Sequence, residues 1–227
     1  MIFKQYDRVR IINLPERLDR RNEMNAELAR LGLSDLPAVV YFPAIRPADP
    51  GVFGSIGANG CFHSHLAVLE QALEAEESIL VLEDDCTFAK EAAAYRQQVD
   101  TAIFYGGWEV ASDPEDLISS DIIGAQMMGF SLPVLRKLVP FLRSLLDMEA
   151  QFDPAIVRSD FDPQVRPPID GAYVWFRRYH PEFNTEFAML ATQRPSASDI
   201  AARRWFDRMP GIRNLANQAR RVRQRLL

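Results

Sequence analysis

With 227 residues, 48% of them hydrophobic, the chain is long enough to bury a full core, and one α/β domain is the expectation at this length. Apolar residues are spread throughout, which excludes wholesale disorder, and no run approaches the ~18 apolar residues of a membrane span. The net charge of −5 divides into +7 over residues 203–227, where eight arginines face one acid, and −12 elsewhere, so the body would repel a phosphate backbone and nucleic acid is not an expected partner.

In chain order, Val9 to Leu14 is a short β-branched run that reads as a strand, and Pro15 then precedes a helical pattern through Met24, Leu28 and Leu31 that stops at Gly32. Val39 to Phe42 predicts a second strand. Pro43 to Gly60, with three prolines and four glycines, reads as a surface loop, followed by a helix over 61–74 with apolar residues at Phe62, Leu66, Leu69 and Leu73. Ser78 to Leu82 is a continuous apolar run, as expected of a strand covered on both faces. Lys90 to Ala102 is predicted helical, Ile103 to Tyr105 a strand ended by Gly106 and Gly107, and Ser131 to Leu146 an amphipathic helix opened by Ser131 and Pro133. Asp147 to Pro168 is rich in acids and proline, and Asp170 to Ala191 suits a helix followed by a strand. Pro210-Gly211 then breaks the chain before an amphipathic helical pattern with arginines on its polar face. The alternation predicts an α/β fold, a mostly parallel mixed sheet with helices on both faces, whose ligands gather at the carboxyl ends of the strands.

Chemistry concentrates where the buried strand ends. Glu83, Asp84 and Asp85 crowd three negative charges at a sheet edge, tolerable with water, a cation or both. Mn²⁺ or Mg²⁺ suits oxygen ligands and binds through one or two carboxylates while substrate phosphates complete its shell. Were the chain extended here, Glu83 and Asp85 would share one side roughly 6 to 7 Å apart, with Asp84 facing elsewhere. A solvated acidic turn would have the same sequence. Cys61, His63 and His65 hint at zinc, yet on a helix they do not all converge and no fourth ligand is apparent. Cys61 and Cys86 are expected as free thiols in a reducing compartment, and the lack of an apolar leader near Met1 gives a cytoplasmic expectation.

Ile12-Asn-Leu-Pro15, Arg17, Asp19-Arg-Arg21, Gly60-Cys-Phe-His-Ser-His65 and Leu82-Glu-Asp-Asp85 together resemble glycosyltransferase family 25, the bacterial lipopolysaccharide-type sugar transferases. The resemblance covers residues 7 to about 90, and Gln193, Pro195 and Ser198 to Ile200 are loosely similar to that family's closing segment. It implies a GT-A-like domain over 1–202, a UDP-sugar donor with UDP-galactose the usual choice, and an acidic triplet in place of an Asp-x-Asp metal motif. Carried over by position, Asp85 would ligate the metal and Glu83 would touch the metal or the donor ribose. Inversion is implied too, with a carboxylate deprotonating the acceptor hydroxyl.

Asp170, at the end of a Pro-rich loop before a helix, is the candidate base, although an N-cap reading fits it as well; Asp153, Asp160, Asp162 and Glu186 are rivals. Asn13, Arg17, Arg20, Arg21, Arg46 and Asp49 form the expected donor-site set, since arginine suits a diphosphate at a strand-to-helix connection. Ser64 and His65 are expected to contact the donor or to fix its pocket. His180 could add a metal ligand, though a histidine beside Pro181 is more often a surface residue, and Trp108 could stack on a sugar, though a packed tryptophan at a tight turn explains it equally well. The basic segment 203–227 suits an anionic membrane surface, where a lipid-linked saccharide acceptor would lie, or a helix docked on the acidic body. Two other classes remain: a metal-dependent phosphohydrolase and a non-catalytic sugar-nucleotide binder.

Overall fold

In the computed structural model, which describes residues 1–153, 156 and 165–194, the apolar runs assemble into a six-stranded sheet. Its order is β2 (Val39–Pro43), β1 (Arg8–Asn13), β3 (Ile79–Glu83), β8 (Met127–Phe130), β5 (Ile103–Gly107) and β9 (Thr185–Phe187). β1 lies parallel to β2 and β3, β9 lies parallel to β5, and β8 alone runs the other way between β3 and β5. Two short antiparallel ladders join β4 (Cys86–Phe88) to β10 (Ala191–Gln193), and β6 (Val110–Ala111) to β7 (Ile122–Ile123).

Period-2 alternation divides the strand side chains between two cores. Ile79, Val81, Ile103, Tyr105, Met128 and Phe130 pack with helices α2 (Ile56–Glu74), α3 (Leu132–Leu145) and α4 (Ile169–Tyr179). Leu80, Leu82, Phe104, Met127, Val9 and Ile11 pack with Met24 and Leu28 of α1 (Leu18–Arg30) on the other face. The expected α/β architecture is therefore observed, a mostly parallel sheet with helices on both faces, and each fully buried aliphatic or aromatic side chain contributes about 1.5–3 kcal/mol.

Three local expectations change. α2 begins at Ile56, inside the segment read as loop, because Ser55 caps it by accepting from Ala58 N at 3.1 Å. Gly60 is there for close approach rather than for a turn, since a Cβ would stand 2.6 Å from Ile45 O. Lys90 to Ala102 is not a helix beyond a short 3-10 turn over Lys90–Ala93. Tertiary bonds hold the rest out of helical form: Tyr95, Gln98 N and Thr101 all bond Glu186, and Gln97 N donates to Gln5 Oε1 at 3.0 Å. Finally, β8, Met127–Phe130, carries no β-branched residue and gave no strand signal.

No described helix is long and apolar enough to cross a membrane. Asp160, Asp162, the closing-segment residues Pro195 and Ser198 to Ile200, and the basic segment 203–227 lie outside the described residues.

Candidate active site

Register builds the site. Ile12 of β1 stands opposite Glu83 of β3, so the next residue of each strand, Asn13 and Asp84, meet at the carboxyl edge of the sheet. Asn13 Nδ2 donates to Asp84 Oδ2 at 2.7 Å and to Arg17 O at 3.3 Å. Arg20, in the first turn of α1, places Nη1 2.9 Å from Asp84 Oδ1 and 3.4 Å from Asp85 Oδ2. β3 ends at Glu83, and Asp84-Asp85 form a turn into β4. The alternation expected of an extended chain therefore stops one residue into the triplet, and Arg20 reaches both aspartates.

Asp84 and Asp85 are 6% and 3% exposed. Gln193, on β10, donates to Asp85 Oδ2 at 3.1 Å, while Asp85 Oδ1 is buried with no hydrogen-bond partner among the described residues. Burial first, and Glu83 second, push the Asp85 carboxyl up to about 7. Burial also raises Asp84, though Asn13 and Arg20 oppose the shift. Glu83 turns toward α2, where Cys61 and His65, one helical turn apart, face it: Cys61 Sγ donates to Glu83 Oε1 at 3.7 Å and His65 Nε2 lies 3.4 Å from the same oxygen. Cys61, His65 and Glu83 each offer a ligand atom within 4.8 Å of the others, a group that could hold a cation. Cysteine and histidine favour softer metals, and burial beside Glu83 and Asp170 keeps the Cys61 thiol protonated. His63 stays outside this group, its ring against Phe53 and Phe62.

α4 delivers a second acid. Asp170 lies inside its first turn rather than at the N-cap, which is Pro168; Oδ2 accepts from Gly124 N at 3.0 Å and Oδ1 from Gly171 N at 2.9 Å. Its pKa is raised by burial, with Glu83 adding to the effect. Tyr173, one turn on, bonds His65 Nδ1 at 2.9 Å, so α4 supports both the base candidate and the histidine behind Glu83. Beside Gly124, Gln126 is 1% exposed and neither its side-chain oxygen nor its nitrogen has a partner among the described residues.

The remaining expected residues are more scattered. Ser64 is buried, donating to Gly60 O at 2.6 Å and accepting from Ile45 N at 2.8 Å, so it ties the 44–55 loop to α2. His65 is wholly buried. Arg17 pairs with Asp19 at 2.8 Å, Arg21 stacks on Tyr41 with its Cζ 4.3 Å from the ring centre, and Arg46 pairs with Glu16 at 2.5 Å on the surface. Asp49 Oδ1 accepts from Gly51 N in the same loop. Glu186 is used by the three donors of the 95–101 segment, and Asp153 N meets Tyr179 OH at the far end of α4. His180 bonds Glu182 at 2.9 Å, and Trp108 packs edge-on to Phe187. Arg20, expected in the donor-site set, pairs instead with Asp84 and Asp85. Tyr173 and Gln126 were not singled out by sequence; the Asp170–Tyr173 spacing on one helix face was the available signal for the tyrosine.

The model of glycosyltransferase family 25 (LPS biosynthesis protein) matches residues 53–106, the stretch that carries Cys61, Ser64, His65 and the acids 83–85. The chain carries a family 25 glycosyltransferase segment. The match supports a transferase, and the resemblance read from the motifs is shown over that stretch. No curated protein matches. Among solved structures, a glycosyltransferase involved in the glycosylation of the major capsid of PBCV-1 is similar at 11% identity over 84% of this chain and 95% of that chain, with a TM-score of 0.41.

Proposed function

We propose that the chain is a metal-dependent glycosyltransferase that moves galactose from UDP-galactose to a saccharide acceptor of lipopolysaccharide or another surface glycan, with inversion. The observation that carries this reading is the Asp85 carboxylate. It has an oxygen without a partner among the described residues, beside Glu83, at the carboxyl edge of β1 and β3 and within the family-matched segment. Two hard carboxylates so placed fit Mn²⁺ or Mg²⁺, with Glu83 and Asp85 as the holding residues. When bound, such an ion neutralises charge on the departing diphosphate.

The chain's own residues then have separate tasks. Arg20 and Asn13 fix Asp84 and limit repulsion within the triplet. His65, braced by Tyr173, positions Glu83, and Ser64 holds the loop that bears Arg46 and Asp49 against α2. Asn13, Arg17, Arg21 and Arg46 are assigned to the nucleotide, the arginines leaving their present partners to meet it. Asp170 takes the proton from the acceptor hydroxyl: the O–H bond breaks toward its carboxylate, the acceptor oxygen bonds the anomeric carbon, and the bond to diphosphate breaks with its electron pair. Burial raises its pKa toward working pH, which suits a general base.

Slow release of UDP from UDP-galactose tests the reading. Loss of that release with EDTA, or in Asp85→Asn, supports the transferase. Donor binding without turnover would leave a sugar-nucleotide binder, and inorganic phosphate released from a monoester would mark a phosphohydrolase.

A further inference from the structure

A second set of basic groups lies at the other end of α4. Asp170 is in its first turn and Arg177 and Arg178 are in its last, so helix rise alone separates Asp170 from Arg177 by about 10 Å. There Arg177, Arg178, Ser119, Ile118, Phe183 and Thr185 contribute to the lining of a cavity of about 330 Å³. That volume is at the small end of ligand pockets, about 300–1,000 Å³.

Arg177 is 4% exposed. Its Nη2 donates to Ser120 O at 2.7 Å, and its guanidinium carbon lies 5.3 and 5.4 Å from the ring centres of Tyr105 and Phe187. Nε and Nη1 are buried with no hydrogen-bond partner among the described residues. Withdrawing a guanidinium from water without satisfying its donors is costly, and burial accordingly lowers the Arg177 pKa. Arg178 adds a second positive charge; it pairs with Asp121 at 2.9 Å and donates to Ser119 O at 3.0 Å. Ile118 and Phe183 supply apolar wall beside this charge. A cavity lined by two arginines, one of them with two donors unmatched among the described residues, and by an apolar side fits an oxyanion carried on a small organic body, and arginine matches phosphate geometry in particular.

We propose that this cavity is a phosphate-recognition site, separate from the strand-end acids, which takes a phosphorylated sugar. Phosphate could reach it as the free ion or on a sugar, and two probes separate these sources. Thermal unfolding of the metal-free full chain is followed with inorganic phosphate and with glucose 1-phosphate, each against chloride at equal ionic strength.

At ten times its dissociation constant, glucose 1-phosphate should raise the melting temperature by about 3–6 °C, and inorganic phosphate at the same concentration by less. Arg177→Gln should abolish both shifts and Arg178→Gln should reduce them, whereas Glu83→Gln should leave them unchanged. Because neither metal nor UDP-sugar is present, failure here is distinguishable from failure of the transferase reading. An equal shift with the two probes would overturn the sugar-borne part, and no shift, or one that survives Arg177→Gln, would overturn the site. If Arg177→Gln does not fold, a selenate soak of wild-type crystals decides instead. An anomalous peak beside Arg177 supports the site, and a peak only elsewhere, or none, overturns it.

Discussion

Asp84 keeps its place in the interior because Asn13 and Arg20 meet its two oxygens, 2.7 and 2.9 Å away. Removing either partner strands a buried polar group, which costs about 1–3 kcal/mol. Asn13→Ala and Arg20→Met should each lower the unfolding free energy by that much, read as a lower urea midpoint with little change in the slope of the transition, and should weaken donor binding because the acids lose their alignment. Asp170 answers to a different measurement. Asp170→Asn keeps an oxygen for one of the two backbone donors, Gly124 and Gly171, but cannot take a proton. Transfer should fall in kcat by roughly 10²–10⁴-fold with KM for the donor nearly unchanged. A fall confined to KM would move Asp170 from base to binding residue. The triplet itself was legible in sequence because three acids after an apolar run are conspicuous. Its geometry was not, because whether β3 continues past Glu83 depends on the turn into β4 and on Arg20 from another element.

At the scale of elements, the strands β1, β2, β3 and β5 and the helices α1 and α3 were readable from hydrophobic periodicity, while the exceptions have tertiary causes. The 95–101 segment has helical composition, yet Glu186 and Gln5 hold its backbone and side chains from outside. β8 carries no β-branched residue, and packing dictates its glycine: a Cβ at Gly129 would stand 2.0 Å from Tyr6 Oη and 3.1 Å from Phe104 Cβ. Gly129→Ala should therefore cost about 1–3 kcal/mol, visible as a lower melting temperature. Glu27 ties α1 to β4, accepting from Phe88 N at 2.9 Å and from Arg30, and these donors hold its carboxyl below the usual range. A depressed native pKa contributes stability above the unfolded value, near 4.3, that is lost as pH falls through the native one. Glu27→Gln should accordingly flatten the acid limb of the stability profile, and an unchanged limb would show that the tie carries none of it.

Across the whole molecule, charge is the organising feature: a body of −12 and a segment of +7 over residues 203–227. Arginines close to an anionic bilayer contribute about 1 kcal/mol each. We expect the full chain to sediment with vesicles containing phosphatidylglycerol, to be released by salt, and to ignore purely zwitterionic vesicles. Salt-insensitive or absent binding would favour docking of the segment on the acidic body. The most direct test concerns the acid corner itself. Calorimetric titration of UDP-galactose should show binding with Mn²⁺ present, none after EDTA, and none in Asp85→Asn with Mn²⁺ restored. Equal affinity in all three conditions would contradict a metal-bridged donor at Glu83 and Asp85.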